Sequence, residues 1–227
     1  MKIISLSANF SGAACSIGCC IKKYFYNYDY KTNIYDYLEI SLISIIEILN
    51  LTEENLNYLH LNNTFVLNNS DKISIFFDNF DKLISHHDLI KDFTIDDYNN
   101  VIEKYKRRYY RLMDDIKNED KIFFIRYGDE DYELIELFFR IVQKINPNLE
   151  IHFIHLIYDE NNKLKNGVNL YDNNYYIINF YNYVNKYNEY NEDPFFKVLE
   201  FNWKPVYHTI YNKLNDNEKE KFIYYNS

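Results

Sequence analysis

The sequence predicts an α/β fold: a single domain whose mixed or mostly parallel sheet is flanked by helices. Three observations predict it. The chain opens on a short apolar run, KIISLS, followed by a small-residue turn and a helix-length segment. In its middle, KIFFIRYG, DEDYELIELFFRIVQKI and LEIHFIHLIYD read as strand, helix and strand, a β-α-β unit at about 121–158 that implies two parallel neighbours in one sheet. Four Gly and three Pro in 227 residues are too few for a loop-rich all-β fold.

Each element has its own reason. Lys2–Ser7 is apolar enough for a buried strand, and SANFSGAA turns it into a helix from about Gly12 to Lys23 that Ser11 or Asn9 can cap. YFYNYDYKTNIYDYL is irregular and aromatic. From Ser41, SLISIIEILNL places Leu42, Ile45, Ile46 and Leu49 on one helical face, and TEENLNYL adds a further turn. KISIFFDNF and the residues up to HHDL read as strands with a loop between them. TIDDYNNVIEKYKRRYYRLMDDIKN is a long helix capped near Thr94 or Asp96. In the β-α-β unit, the acidic first turn of the helix suits the macrodipole, and Pro147 ends it. NKLKNGVNLYDNN carries turn signals before a last strand, YYIINFYNYV, and FNWKPVYHTIYNKL is a C-terminal helical segment. No repeat or domain boundary interrupts residues 1–227, although the acidic, Asn-rich stretch after about 185 reads as a loosely attached tail.

Composition narrows the function. The net charge of −9 is wrong for a nucleic-acid backbone, which calls for a basic footprint. The one basic cluster, Lys104–Arg111, reads as the solvated face of a helix. No apolar run is long enough to span a membrane. Three cysteines within six positions do not make a disulfide framework, so a reducing, cytoplasmic compartment is expected. Tyr and Asn are over-used together with Ile and Lys, a bias that fits an AT-rich genome better than a stacking surface. The expected partner is a protein or a small molecule, and no cofactor or metal is expected: CSIGCC lacks the paired spacing of a zinc site.

Several residues could carry chemistry. A thiolate nucleophile is best placed at a helix N-terminus with a histidine in reach. The turn position is Phe10, and Cys15, five residues on, points roughly 140° away around the helix and about 7 Å further along it. Cys15 and Cys19 share a face of a small apolar helix and read as buried thiols. In SHHDL, a histidine and Asp88 have the makings of a general base and its orienting carboxylate, and only one of His86 and His87 can face a given site in a regular strand. His152 and His155 fall on opposite faces of a strand, which argues against a shared metal. Arg126, Asp129 and Asp131 sit at the C-terminal end of a strand, the edge where α/β sheets bind ligands.

Taken together, these motifs resemble the papain-like cysteine peptidases formerly classed as a domain of unknown function, found in bacteria and large DNA viruses. Members begin I-S-L-G-x-N-C, continue through a P-F-D-W segment and an H-D motif, and then show a K-x-x-R-R helix before a strand reading F-x-R. Here ISLSANF has Ser7 for Gly and Phe10 for Cys; YDYLEISLISIIEIL keeps Asp36 with Tyr37 for Trp; His87 and Asp88 match H-D; and EKYKRRYYRLMDDIKNEDKIFFIR is similar to the arginine helix and strand. The resemblance implies a Cys–His hydrolase layout with His87 as base, Asp88 beside it and Asn9 next to the nucleophile position. That position is Phe10, so the implied reading is a pseudoenzyme with a binding or regulatory role, in the host cytoplasm if viral. Two alternatives stay open: an active cysteine hydrolase using Cys15 with His87, and a small-molecule or sugar-nucleotide-handling α/β enzyme using Asp129 and Asp131.

Overall fold

The computed structural model describes residues 1–8, 16–26, 28–60, 62–67, 71–128, 130–157, 168–172, 174–180, 202–220 and 222–224. Among them, one mixed sheet runs in the order β4-β5-β6-β3-β1-β7-β8-β10-β9. Its strands are β1 (Lys2–Ala8), β3 (Leu38–Ile40), β4 (Asn63–Leu67), β5 (Lys72–Phe77), β6 (Leu83–Ile90), β7 (Lys121–Tyr127), β8 (Glu150–Ile157), β9 (Val168–Asp172) and β10 (Tyr175–Asn179). The central strands β3, β1, β7, β8 and β10 are parallel, and antiparallel strands flank them on both sides. A two-residue ladder joins β2 (Phe25–Tyr26) to β11 (Ile223–Tyr224).

The parallel centre follows from its sequence. β1 and β7 are buried from their second residue to their last and mostly apolar, as strands covered on both faces are. The β-α-β unit is present: β7 and β8 pair in parallel from Lys121 opposite Glu150 to Tyr127 opposite Leu156, joined by α4 (Tyr132–Ile145). One face of the sheet packs on α2 (Leu42–Leu49), α3 (Ile95–Asn118) and α4. The other packs on α1 (Ser16–Tyr24) and α5 (Lys204–Tyr211); a short α6 (Asp216–Lys219) follows. Ser41 caps α2 by accepting from the Ser44 N–H, and the helix buries Leu42, Ile45, Ile46, Ile48 and Leu49, each worth about 1.5–3 kcal/mol relative to exposure. α3 begins in a reciprocal box: the Asp97 N–H donates to Thr94 Oγ1, and the Thr94 N–H donates to Asp97 Oδ2.

Several expectations change. Val168–Asp172, read above only as part of a turn-rich stretch, is the strand β9. β4 falls in NTFVL, which gave no strand signal because every side chain from Thr64 to Leu67 is exposed and no alternation develops. Of the stretch after about 185, the residues up to 201 lie outside the described ones, and the helical segment from Asn202 packs on the sheet. Trp203, Val206 and Ile210 are fully buried against Tyr24, Phe25 and Phe180. The basic cluster of α3 is not simply solvated: Lys104 pairs with Asp88, and Arg111 donates to the Thr32 carbonyl.

Candidate functional site

The site is built where β1, β3 and β7 end. β1 stops at Ala8, opposite Glu39 of β3 on one side and Tyr127 of β7 on the other. Just before it, Ser7 has φ of 56°, in the left-handed region that favours glycine. This breaks the ladder between Ser5 and Ala8. Ser7 Oγ donates to the Leu38 carbonyl at 2.6 Å, fixing β3 beside the bend. Asn9, Phe10 and Cys15 lie outside the described residues, as does Asp129.

Beside Ala8 stands a polar cluster that the sequence reading did not assemble. Leu38 and Ile40 face the core under α2–α4, so Glu39 between them faces the opposite side. Its carboxylate lies 2.6 Å from Lys82 Nζ and 2.9 Å from His86 Nε2. His86 Nδ1 lies 3.0 Å from Ser74 Oγ. An ionised carboxylate only accepts, so Nε2 carries the proton towards Glu39 and, in the neutral ring, Nδ1 accepts from Ser74. Burial pushes the Glu39 carboxyl up, and the bonds from His86 and Lys82 more than offset it, holding it below the usual range.

The ladder explains why His86 is aimed this way. Ile75 pairs with Ser85 but Ile73 with Leu89, so His86, His87 and Asp88 together oppose Ser74. This is a β-bulge, and it replaces the strict alternation expected for SHHDL. Asp88 turns to α3 and accepts from Ser85 Oγ at 2.6 Å, from the Tyr105 hydroxyl and from Lys104 Nζ. Burial raises its carboxyl, and these three bonds bring it below the usual range. Asp88 is thus engaged by α3. The side chain of His87 lies outside the described part.

Arg126 reads differently from a ligand contact. It is fully buried, and its guanidinium donates to the Leu6 and Ile40 carbonyls at 2.7 Å and to Glu130 Oε1 from both Nε and Nη2. A buried guanidinium needs such saturation. It clamps the ends of β1, β3 and β7 to the start of α4, and a ligand could reach it only by displacing Glu130. Asp131, the exposed N-cap of α4, lines a hollow of about 270 Å³ with Glu130, Ser41, Leu42, Ile43 and Leu134.

The motif aspartate is structural in its contacts. Asp36 is buried, accepts from the Tyr30 hydroxyl at 2.7–2.8 Å and from the Asn33 N–H at 2.8 Å, and is pushed up to about 6 by burial. Gly18 of α1 lies against it, and a Cβ there would come within 2.4 Å of Asp36 Oδ1. His152 and His155 have both nitrogens engaged, His152 by Tyr176 and Glu150, His155 by Tyr175 and the Gly128 carbonyl. Cys19 is half-buried; Cys20 is buried, and burial raises its thiol far above the ordinary value. Among the described residues no cluster of His, Cys, Asp and Glu could hold a metal, and no helix is long and apolar enough to cross a membrane.

Glu39, Lys82 and Ser74 were missed because they come from separate parts of the sheet: β3, the bend before β6, and β5. The available signal was Glu39 itself: one acid between Leu38 and Ile40 would be buried and would need a partner. Comparison with family models, curated proteins and solved structures returns no match.

Proposed function

We propose that this chain is a binding protein laid out like the papain-like cysteine peptidases but without their thiol chemistry, its ligand read at the strand ends beside Glu39, Lys82 and His86. The observation that carries the reading is the end of β1. In the motif I-S-L-G-x-N-C the glycine position corresponds to Ser7, whose backbone takes the conformation glycine favours. Three residues later, where the motif has its cysteine, the chain has Phe10. A phenyl ring forms no thioester, and the buried thiol of Cys20 is held in its protonated, unreactive form. The Ser74–His86–Glu39 chain of hydrogen bonds supports binding more than nucleophilic attack. Ser74 is buried in mid-strand, and Lys82 shares the carboxylate that would otherwise stabilise an imidazolium.

Labelling with iodoacetamide across neutral pH, read by mass spectrometry at Cys15, Cys19 and Cys20, tests this. The expected result is that Cys15 and Cys20 react only after the fold is opened. Rapid labelling of Cys15 that His87→Ala abolishes would establish the alternative, an active cysteine hydrolase. The hollow beside Asp131 favours a second reading, a small-molecule-handling enzyme using Asp129 and Asp131; normal activity or binding in Asp131→Asn would remove it.

A further inference from the structure

α4 presents two different surfaces to solvent. Leu134 looks onto the hollow beside Asp131 and α2, whereas Tyr132, Ile135 and Phe139 line a separate cavity of about 460 Å³ against Tyr175, the first residue of β10. That volume lies in the range of small-molecule sites. The aromatic wall is set in advance. The Tyr175 hydroxyl donates to His155 Nδ1 at 2.8 Å, and His155 is fixed from its other side because Nε2 donates to the Gly128 carbonyl. The Tyr175 ring then meets Tyr132 at 5.9 Å, and Phe139 packs on Phe153 at 6.1 Å. Two charged side chains complete the lining, Glu136 and Arg140, both exposed. They stand four residues apart on one helix, with the glutamate first, which is the favoured arrangement for an ion pair. Yet among the described residues neither makes an ion pair or a side-chain hydrogen bond, unlike Arg126 and Glu130 at the same spacing. The same holds for the side-chain amide of Asn174, which also lines the cavity.

We propose that this cavity binds a free α-amino acid with an aromatic side chain, its ring against Tyr132, Phe139 and Tyr175, its carboxylate on Arg140 and its ammonium on Glu136. Charge selects a zwitterion. A ligand with only a carboxylate would bring it beside Glu136, and a ligand with only an ammonium would bring it beside Arg140; like charges placed together discriminate against both. A free amino acid carries the two charges on one carbon, and two side chains separated by roughly 6 Å along a helix can converge on it. The planar guanidinium matches a carboxylate with two parallel bonds. The Asn174 amide donates and accepts, so it can serve either group. Ring chemistry selects the side chain, because the three aromatic walls offer faces and edges to a flat apolar group. A residue within a peptide lacks both free charges, which sets the free amino acid apart from a protein partner.

Titration calorimetry on the full chain tests this with three probes: L-phenylalanine, 3-phenylpropionate, which lacks the ammonium, and phenethylamine, which lacks the carboxylate. Each is taken to about 10 mM, above the dissociation constant of a weak specific site. L-phenylalanine should bind saturably and the other two at least about tenfold more weakly, the worth of one charge-assisted hydrogen bond. Arg140→Met should lower L-phenylalanine to the level of phenethylamine, and Glu136→Gln should lower it to that of 3-phenylpropionate. Both side chains are exposed, so both variants should keep the melting temperature of the native chain. By NMR, the Asn174 side-chain amide should shift on saturation with L-phenylalanine. No saturable binding of L-phenylalanine overturns the proposal. So does equal binding of the three probes, which would mean that the ring alone is read. Affinity for L-phenylalanine that either variant leaves unchanged would place the ligand elsewhere and overturn it as well. The cavity shares no residue with Glu39, Lys82 and His86 and the test involves no thiol, so the proposed function stands or falls separately.

Discussion

Asp36, buried, and Asp88, half-buried, both accept from a tyrosine hydroxyl and both are pushed up by burial, yet their net shifts run in opposite directions. Asp36 is held by neutral donors, the Tyr30 hydroxyl and the Asn33 N–H, and rises to about 6. Asp88 has the Tyr105 hydroxyl too, but also the ammonium of Lys104 in contact, and falls below its ordinary value. Asp36 is the deeper of the two, which widens the gap. Neutral donors soften the cost of burying a charge, whereas a contacting cation reverses its sign. Arg126 and Glu130 are the extreme of the paired case, with the cation itself fully buried.

That extreme gives the largest expected effect. Arg126→Met leaves Glu130 buried without its cation and takes the donors from the Leu6 and Ile40 carbonyls. The expected loss is about 3–5 kcal/mol in urea unfolding. A loss below about 1 kcal/mol would show that Glu130 swings out to water and that the clamp is dispensable.

The pH dependence separates the two aspartates next. Asp36 binds its proton more tightly folded than unfolded, so its contribution to stability is fully present below the ordinary value of 3.8 and is lost as pH rises towards about 6. The loss is on the order of 3 kcal/mol. Asp88 works the other way, adding stability above the ordinary value that disappears on further acidification. Unfolding free energies measured from pH 4 to 7 should therefore slope down through pH 5 in the native chain and flatten in Asp36→Asn. A slope that Asp36→Asn leaves intact would assign it to another group.

Lys104→Met turns Asp88 into a second Asp36. Its carboxyl should titrate higher by NMR, and stability at neutral pH should fall by about 1–2 kcal/mol, the smallest of the three effects because the lysine is partly exposed to water. An unmoved Asp88 titration would mean that Ser85 and Tyr105 alone hold it down.

The fold was largely legible in the sequence, and the site much less so. The β-α-β unit, α2 and α3 all announce themselves through periodicity and end signals: Ser41, Thr94 and Pro147 stand where a helix must start or stop. β4 was invisible because both its faces meet solvent, and a strand with no buried face leaves no period of two. The pairing of His86 with Glu39 was invisible for a different reason. It depends on a bulge, and an extra length of strand is defined only against the partner it fails to match. Burial of His152 and His155 with their nitrogens satisfied was readable from an apolar strand alone.

The clamp at Arg126 also sets a timetable for synthesis. Its bond to the Leu6 carbonyl spans 120 residues of chain, and β1 finds its long neighbour only in β7. β1 therefore waits, unpaired along most of its length, while the 120 residues up to Arg126 are made. At about 5–20 residues per second this is a delay of several seconds or more. Throughout it the segment KIISLSA is available to any other open edge, and a chaperone that holds β1 as it emerges would shorten that exposure more than one acting after release.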